Sequence, residues 1–209
     1  IYRGDRVAIV LPNGPEMATS FIAASACATT APLNPTYKKD EFDFYLSDLS
    51  AKALIVEKGS ESPSVGVARD LGITVFEIES TAADPVGVFS IVGDPGDGVG
   101  SGGEGGMASP GDTALVLHTS GTTSRPKIVP LSQTNVCASA SNIQKTLGLT
   151  ADDVCLNIMP LFHIHGLMAA ILATLGKGGS VWCSPGFDAL RFYQWLEKAH
   201  PTWYTAVPT

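Results

Sequence analysis

Three absences narrow what this 209-residue chain can be. No apolar run approaches the roughly 20 residues that a membrane-spanning helix needs. The first residues also lack the charged-then-apolar pattern of a signal peptide. The cysteines lie far apart with no CxxC pair, which argues against a disulfide framework; they are Cys27, Cys137, Cys155 and Cys183. We therefore expect a cytoplasmic protein with buried or free thiols, and the peroxisome is the alternative.

An excess of positive charge is also absent. Lysine and arginine total 13 against 20 aspartates and glutamates, which gives a net charge of −7. This balance argues against a nucleic-acid-binding surface. Any anionic ligand must therefore be held by local positive charge and by backbone donors. The hydrophobic share of 44% is enough for one sizeable core.

The two ends of the sequence resemble cut ends. There is no initiator methionine, and a strand-like segment begins within the first few residues. At the other end, Pro208 would suit the first turn of a helix that does not follow. We expect the chain to be an N-terminal portion of a longer protein and to be inactive alone.

Strand and helix patterns alternate along the chain, which predicts parallel sheets covered by helices. The first block, 1–80, has predicted strands at 6–11, 53–56 and 73–78 and predicted helices at 15–29, 38–50 and 63–71. The pattern fails over 81–111, where glycines accumulate, and we interpret this stretch as a flexible surface insertion. The second block, 112–209, has predicted strands at 113–118, 153–159, 180–183 and 203–207 and predicted helices at 132–147, 167–175 and 188–200.

One loop carries the first chemical signal. Residues 119–127 read TSGTTSRPK, after an apolar strand pattern and before a helical pattern that begins near Ser132. Gly121 lets the backbone approach an anion closely, the hydroxyls can donate to phosphate oxygens, and Lys127 adds a positive charge. The alternative is an ordinary polar surface loop. The common nucleoside triphosphatase loop does not fit, because Pro126 precedes the lysine and Ile128 follows it.

The loop instead resembles the phosphate loop of the adenylate-forming superfamily, which includes the acyl-CoA synthetases. The chain matches that motif at seven positions and departs from it at Ser124 and Ile128, where glycine is usual. The resemblance implies that ATP is bound by Thr119, Ser120, Gly121, Thr122, Thr123, Ser124 and Lys127. Should the missing glycine strain the loop, Ile128→Gly would raise ATP affinity or activity; otherwise the isoleucine is simply a packed residue.

A second motif, PLFHIHG at 160–166, follows a predicted strand. Open α/β sheets place ligand sites at such strand ends. Two histidines at this spacing can bind a metal, but no further pair supports such a site, so we expect none; hydrogen bonds to nearby groups are the other alternative. The stretch resembles the acyl-CoA synthetase motif in which a histidine orients the carboxylate and the α-phosphate. That role falls to His163, while His165 resembles the oxalate–CoA ligase branch and is expected to contact a second carboxylate.

The opening residues, 4–16, and the closing WYTAVPT are similar to acyl-CoA synthetases as well. The resemblance implies an α/β fold that forms part of the large N-terminal domain of an adenylate-forming enzyme. It also implies a ligase that uses ATP, Mg²⁺ and CoA. A small carboxylic acid such as oxalate attacks the α-phosphate, pyrophosphate leaves, and CoA then displaces AMP, with Lys127 and His163 as catalytic residues. The alternatives are another ATP-dependent phosphotransferase and a non-catalytic α/β module.

Overall fold

The computed structural model of the chain describes residues 1–92, 105–119 and 126–208. These residues form two sheets with helices against them, as the alternating pattern predicts. The first sheet has seven strands in the order β5-β4-β3-β1-β2-β6-β7. Its strands are β1 (Arg6–Val10), β2 (Thr29–Pro32), β3 (Ala53–Glu57), β4 (Thr74–Glu79), β5 (Ser90–Val92), β6 (Thr113–Thr119) and β7 (Lys127–Ser132).

Five neighbouring strands of this sheet, from β4 to β6, are parallel, and the two edge strands run antiparallel to them. The helices of this part of the chain are α1 (Pro15–Ser25), α2 (Lys39–Leu49), α3 (Pro63–Asp70) and α4 (Gln133–Leu147). Local signals define their ends. Ser132 caps α4 through its hydroxyl, and Gly148 ends the helix in the left-handed conformation that glycine adopts without strain.

Both faces of the first sheet are buried. Successive residues of a strand point to opposite faces, so Ala8 and Val10 join the core under α2 and α3, and Ile9 joins the core under α1. The second core also contains Leu161 and the residues of a π-helix, Gly166–Ala173. Through this shared core the second motif is packed directly against the first sheet.

The second sheet has three parallel strands in the order β10-β8-β9. They are β8 (Val154–Asn157), β9 (Ser180–Cys183) and β10 (Trp203–Thr205), and helix α5 (Phe192–Ala199) accompanies them. None of the helices in the described ranges combines the length and the apolarity that a bilayer crossing requires.

Two predicted helices differ from the structure. The first ends at Ser25 rather than Thr29, because Thr29 and Thr30 are buried and continue as β2 between β1 and β6. The last begins at Phe192 rather than Asp188, because the Asp188 carboxylate accepts the backbone N–H groups of a turn that precedes the helix. The 167–175 helix is present but takes π geometry.

Three strands were missing from the sequence interpretation: β2, described above, and β7 and β5. After the phosphate loop the chain returns as β7 before α4 begins, so the loop closes an antiparallel pair instead of leading straight into a helix. Proline has no backbone N–H to donate to a neighbouring strand. Pro130 is tolerated because β7 lies at the edge of the sheet, where one side of the strand has no neighbour. Within the predicted flexible insertion, Ser90–Val92 pairs with β4, while residues 93–104 lie outside the described ranges. The block boundaries at 80 and 111 stay a prediction.

The structure also shows the environment of Ile128, the residue that stands where the motif usually has a glycine. Ile128 lies in β7 opposite His118, half-buried, and packs against the core under α2 and α3. The packed-residue alternative is therefore favoured over loop strain. We expect Ile128→Gly to lower the free energy of unfolding by about 1–3 kcal/mol without tighter ATP binding, because it removes buried apolar surface and adds chain entropy.

The matched control is Val129→Gly, which makes the same kind of change on the exposed side of the same strand. It should cost less stability than Ile128→Gly. Urea unfolding and ATP calorimetry on the full-length protein measure both variants. An Ile128→Gly protein that keeps its stability and binds ATP more tightly would restore the strain hypothesis.

Candidate active site

A cavity of ≈ 160 Å³ lies where β2 and β6 end. Its third wall is the loop that follows β8. The cavity therefore brings together Thr119, the first residue of the predicted phosphate loop, and His163 of the second motif. The remaining lining residues are Pro32, Leu33, Asn34, Tyr37, Tyr45, Leu117, His118, Phe162 and Ile164. This is the edge at which open parallel sheets place their ligand sites.

A larger cavity of ≈ 250 Å³ lies between α1 and the first sheet. Its lining is almost wholly apolar, with Ser20 and Cys27 as the polar exceptions, so it offers nothing to hold a phosphate. The site at the ends of β2 and β6 has hydroxyls and imidazoles instead. Among the described residues that line it there is no carboxylate, so an anionic substrate meets no like charge at the wall.

Thr119 and Lys127 face each other across the mouth of the phosphate loop. Thr119 ends β6, Lys127 begins β7, and the two are partners in the antiparallel ladder. Both residues are exposed, so the hydroxyl and the ammonium group are free to meet a ligand. The other predicted loop residues lie outside the described part of the chain; they are Ser120, Gly121, Thr122, Thr123 and Ser124.

His163 lies in the turn between β8 and the π-helix. Its backbone N–H donates to the Pro160 carbonyl at 3.3 Å, and its own carbonyl accepts from Leu167 N–H at 3.3 Å. The imidazole lies against the Phe162 ring, with the centroids 4.5 Å apart. Loss of solvation lowers the pKa of His163 from its usual 6.5. The ring is therefore neutral at pH 7, with one N–H donor and one acceptor nitrogen.

His165 has a different environment. Its Nε2 lies 2.6 Å from the Thr205 hydroxyl of β10, and the residue is not part of the cavity wall. For this ring the structure favours the alternative of a hydrogen bond within the protein. A role for His165 in binding a second carboxylate stays a prediction.

His118 was not singled out in the sequence, yet it lines the cavity next to Thr119. Its Nε2 lies 2.9 Å from Oδ2 of Asp48 on α2, and its side chain is only 6% exposed. The Tyr45 ring meets the imidazole edge-on, with centroids 4.7 Å apart. Because these partners are about 70 residues away in the chain, no local pattern could reveal the contact.

Tyr37 and Asn34 complete the wall from the β2 side. Tyr37 stacks on Tyr45 at 4.8 Å, and burial, followed by the hydrogen bond with Tyr45, raises the pKa of Tyr37. Its phenol therefore stays protonated. The Asn34 side chain accepts from the N–H and the hydroxyl of Thr36, as an asparagine in a turn does.

The described residues contain no cluster of three or more histidine, cysteine, aspartate or glutamate side chains that could hold a metal ion. The chemistry that this arrangement supports is the binding of an anion between hydroxyls, a lysine and a neutral imidazole. The two wall elements come from different sheets, so a ligand held by both would span them.

Known proteins match this chain over its whole length. The oxalate–CoA ligase of Arabidopsis thaliana is 41% identical over 209 residues, covering 99% of this chain and 40% of that protein. The oxalate–CoA ligase of Saccharomyces cerevisiae is 37% identical over 239 residues, covering 100% of this chain and 42% of that protein. The chain thus spans about 40% of the length of these relatives.

Solved structures agree in fold. A long-chain-fatty-acid–CoA ligase (FadD1) from Archaeoglobus fulgidus superposes with a TM-score of 0.80 at 26% identity, over 100% of this chain and 41% of that one. ATP-bound MatB from Rhodopseudomonas palustris gives a TM-score of 0.75 at 26% identity, over 95% of this chain and 39% of that one. A family profile described as AMP-binding enzyme matches residues 1–209. The chain therefore belongs to the AMP-binding enzyme family.

Proposed function

We propose that the full-length protein carrying this chain is an ATP-dependent carboxylate–CoA ligase that acts on a small acid such as oxalate. In the first step the acid attacks the α-phosphate of ATP, which gives an acyl-adenylate and pyrophosphate. In the second step the CoA thiol displaces AMP. The oxalate–CoA ligases that resemble the chain over nearly its whole length support this choice of reaction.

The observation that carries the proposal is the shared cavity of Thr119 and His163. The first step needs a triphosphate and a carboxylate held at one point, with the α-phosphate between them. A phosphate loop that starts at Thr119 supplies one side of this arrangement, and the His163 imidazole supplies the other. Holding two reactants in this way is itself a large part of the catalytic effect.

On the phosphate side, Lys127 and the hydroxyl of Thr119 flank the mouth of the loop. We assign them, together with Ser120, Gly121, Thr122, Thr123 and Ser124, to the β- and γ-phosphates. Their work is electrostatic: they stabilise the negative charge that leaves as pyrophosphate. Mg²⁺ accompanies ATP and neutralises part of the same charge. The Lys127 side chain is the positive group of this loop that the described residues contain.

On the acid side, the neutral His163 ring is suited to donate one N–H to a carboxylate or α-phosphate oxygen. The Phe162 ring packs against it, and both residues line the cavity. A neutral donor orients an anionic nucleophile without pairing with it as strongly as a cation does, so the carboxylate remains reactive.

The polar groups of the cavity wall support a small polar acid. Thr119 and Tyr37 contribute hydroxyls, and His163 contributes an imidazole.

Acid-dependent exchange of pyrophosphate into ATP tests the proposed reaction on the full-length protein. Small mono- and dicarboxylates are compared at saturating Mg-ATP, and released nucleotide is identified. We expect exchange with small dicarboxylates and release of AMP when CoA is added. Release of ADP would instead identify a phosphotransferase, and a lack of exchange with every acid would contradict a ligase.

Lys127→Ala should slow adenylate formation. Removal of a preorganised electrostatic donor costs about 2–4 kcal/mol of transition-state stabilisation. The matched control is Lys145→Ala, an exposed lysine in the last turn of α4, away from the cavity. Initial rates of pyrophosphate exchange give kcat/KM for both variants. An unchanged value for Lys127→Ala would remove this lysine from the mechanism.

The His163 ring should titrate below pH 6.5, because burial disfavours its charged form. Its folded-state pKa is lower than its unfolded one, so its contribution to stability is constant above pH 6.5, falls as the pH drops from 6.5 towards the lowered pKa, and is constant again below it. Imidazole NMR of the full-length protein measures the value, and the signal missing from His163→Gln assigns it. A pKa at or above 6.5 would contradict the loss of solvation to which we attribute the shift.

A further inference from the structure

The side chain of Asn13 connects the two sheets. It lies in the turn that follows β1, yet its side-chain hydrogen bonds go to the connections of the second sheet. Its Nδ2 donates to the Met159 carbonyl at 3.0 Å and to the Ser184 carbonyl at 3.2 Å. Its Oδ1 accepts the Leu161 N–H at 2.7 Å. One amide therefore contacts the backbone of the loop after β8 and of the segment after β9.

The loop that Asn13 contacts is the one that carries His163. Asn157 fixes the same loop from its other side, through the N–H and the carbonyl of Met159 at 3.1 Å each. Leu161 is fully buried, and the backbone of Gly166 lies so close to Pro160 that an added Cβ would be 2.7 Å from its carbonyl oxygen. The His163 N–H then bonds to Pro160. The backbone of His163, which carries the imidazole, is thus anchored to the backbone at 159–161.

The chemistry of these contacts requires an amide of this length. Two donor hydrogens and an acceptor oxygen are used together, which aspartate, with no donor in its ionised form, cannot provide. Because every partner is a backbone atom, the contact does not depend on the loop's own side chains. Both donor hydrogens of Asn13 are engaged, so its amide is committed to the loop rather than offered to a ligand.

We propose that Asn13 is a positioning residue for catalysis: it sets the place of His163 relative to the phosphate loop by binding the 159–161 backbone to the turn after β1. This inference rests on the proposed role of His163 in adenylation. It predicts which step of the reaction depends on Asn13. The phosphate loop connects β6 and β7, and the three hydrogen bonds of the Asn13 side chain go to neither strand. Loss of Asn13 should therefore spare ATP binding and impair the chemical step.

The test compares three variants of the full-length protein. Asn13→Ala removes all three hydrogen bonds, and the nearly isosteric Asn13→Asp keeps only the acceptor for Leu161. The control is Thr202→Val, which removes a hydroxyl that bonds Asp153 and Val154 at the opposite end of β8. Each variant is measured for unfolding temperature, for kcat and KM in pyrophosphate exchange, and for amide hydrogen exchange of the peptide covering 159–166.

For Asn13→Ala we expect kcat to fall by about 10- to 100-fold, the effect of a misplacement near 1 Å. The KM for ATP should not change, and exchange in the 159–166 peptide should become faster. Asn13→Asp should show changes at least as large, because its second carboxylate oxygen faces the Met159 and Ser184 carbonyls to which the amide donated. Thr202→Val should lower the unfolding temperature without a change in kcat or in loop exchange.

Two results would overturn the proposal. In the first, Asn13→Ala behaves as Thr202→Val does and loses only stability. In the second, the loop exchanges faster but kcat stays the same, so the loop's position does not matter to the reaction. Amide exchange needs no substrate. If the unmodified protein activates no acid, the proposed function fails. An unchanged amide exchange rate of the 159–166 peptide in Asn13→Ala would separately overturn the positioning role.

Discussion

The parallel pairing of the central strands is the constraint on which this site depends. Parallel strands all end at the same edge of a sheet, so the turns that follow them are neighbours there. The turn after β1 carries Asn13, the turn after β2 carries Asn34, and β6 ends at Thr119. Residues more than 100 positions apart in the chain thereby reach one region without any long excursion of the backbone.

The second sheet contributes through packing rather than through strand pairing. Leu161 and the π-helix lie in the same core as Ile9 and Phe21, so the loop with His163 is held against the first sheet by burial of apolar surface. Hydrogen bonds from Asn13 add direction to that contact. Burial of apolar surface brings the sheets together, and the hydrogen bonds of the Asn13 amide fix the position of the loop.

The sequence was informative where a local pattern has a physical cause. The amphipathic spacing and caps of α2 and α4 lie within single segments, and both helices were predicted to within a residue or two. The two motifs could be found because phosphate and carboxylate chemistry demand particular side chains close together in the chain. The parallel architecture followed from the alternation of strands and helices.

What escaped prediction depends on contacts across the chain. β2 and β7 each contain a proline, which locally disfavours a strand, and pairing of β2 with β1 and β6 and of β7 with β6 makes them strands. The Asp48–His118 contact and the three bonds of Asn13 join residues about 70 to about 170 positions apart, which no single segment encodes. His163 and His165 look alike in sequence, yet one lines the cavity and the other bonds to Thr205.

The most direct test of the account is a crystal structure of the full-length protein with a stable sulfamoyl analogue of the acyl-adenylate of a small acid. The account predicts the analogue's acyl-sulfamoyl junction in the cavity between Thr119 and His163, with an imidazole nitrogen within hydrogen-bond distance of an analogue oxygen. An analogue bound with its junction outside this cavity, with His163 unengaged, would contradict it.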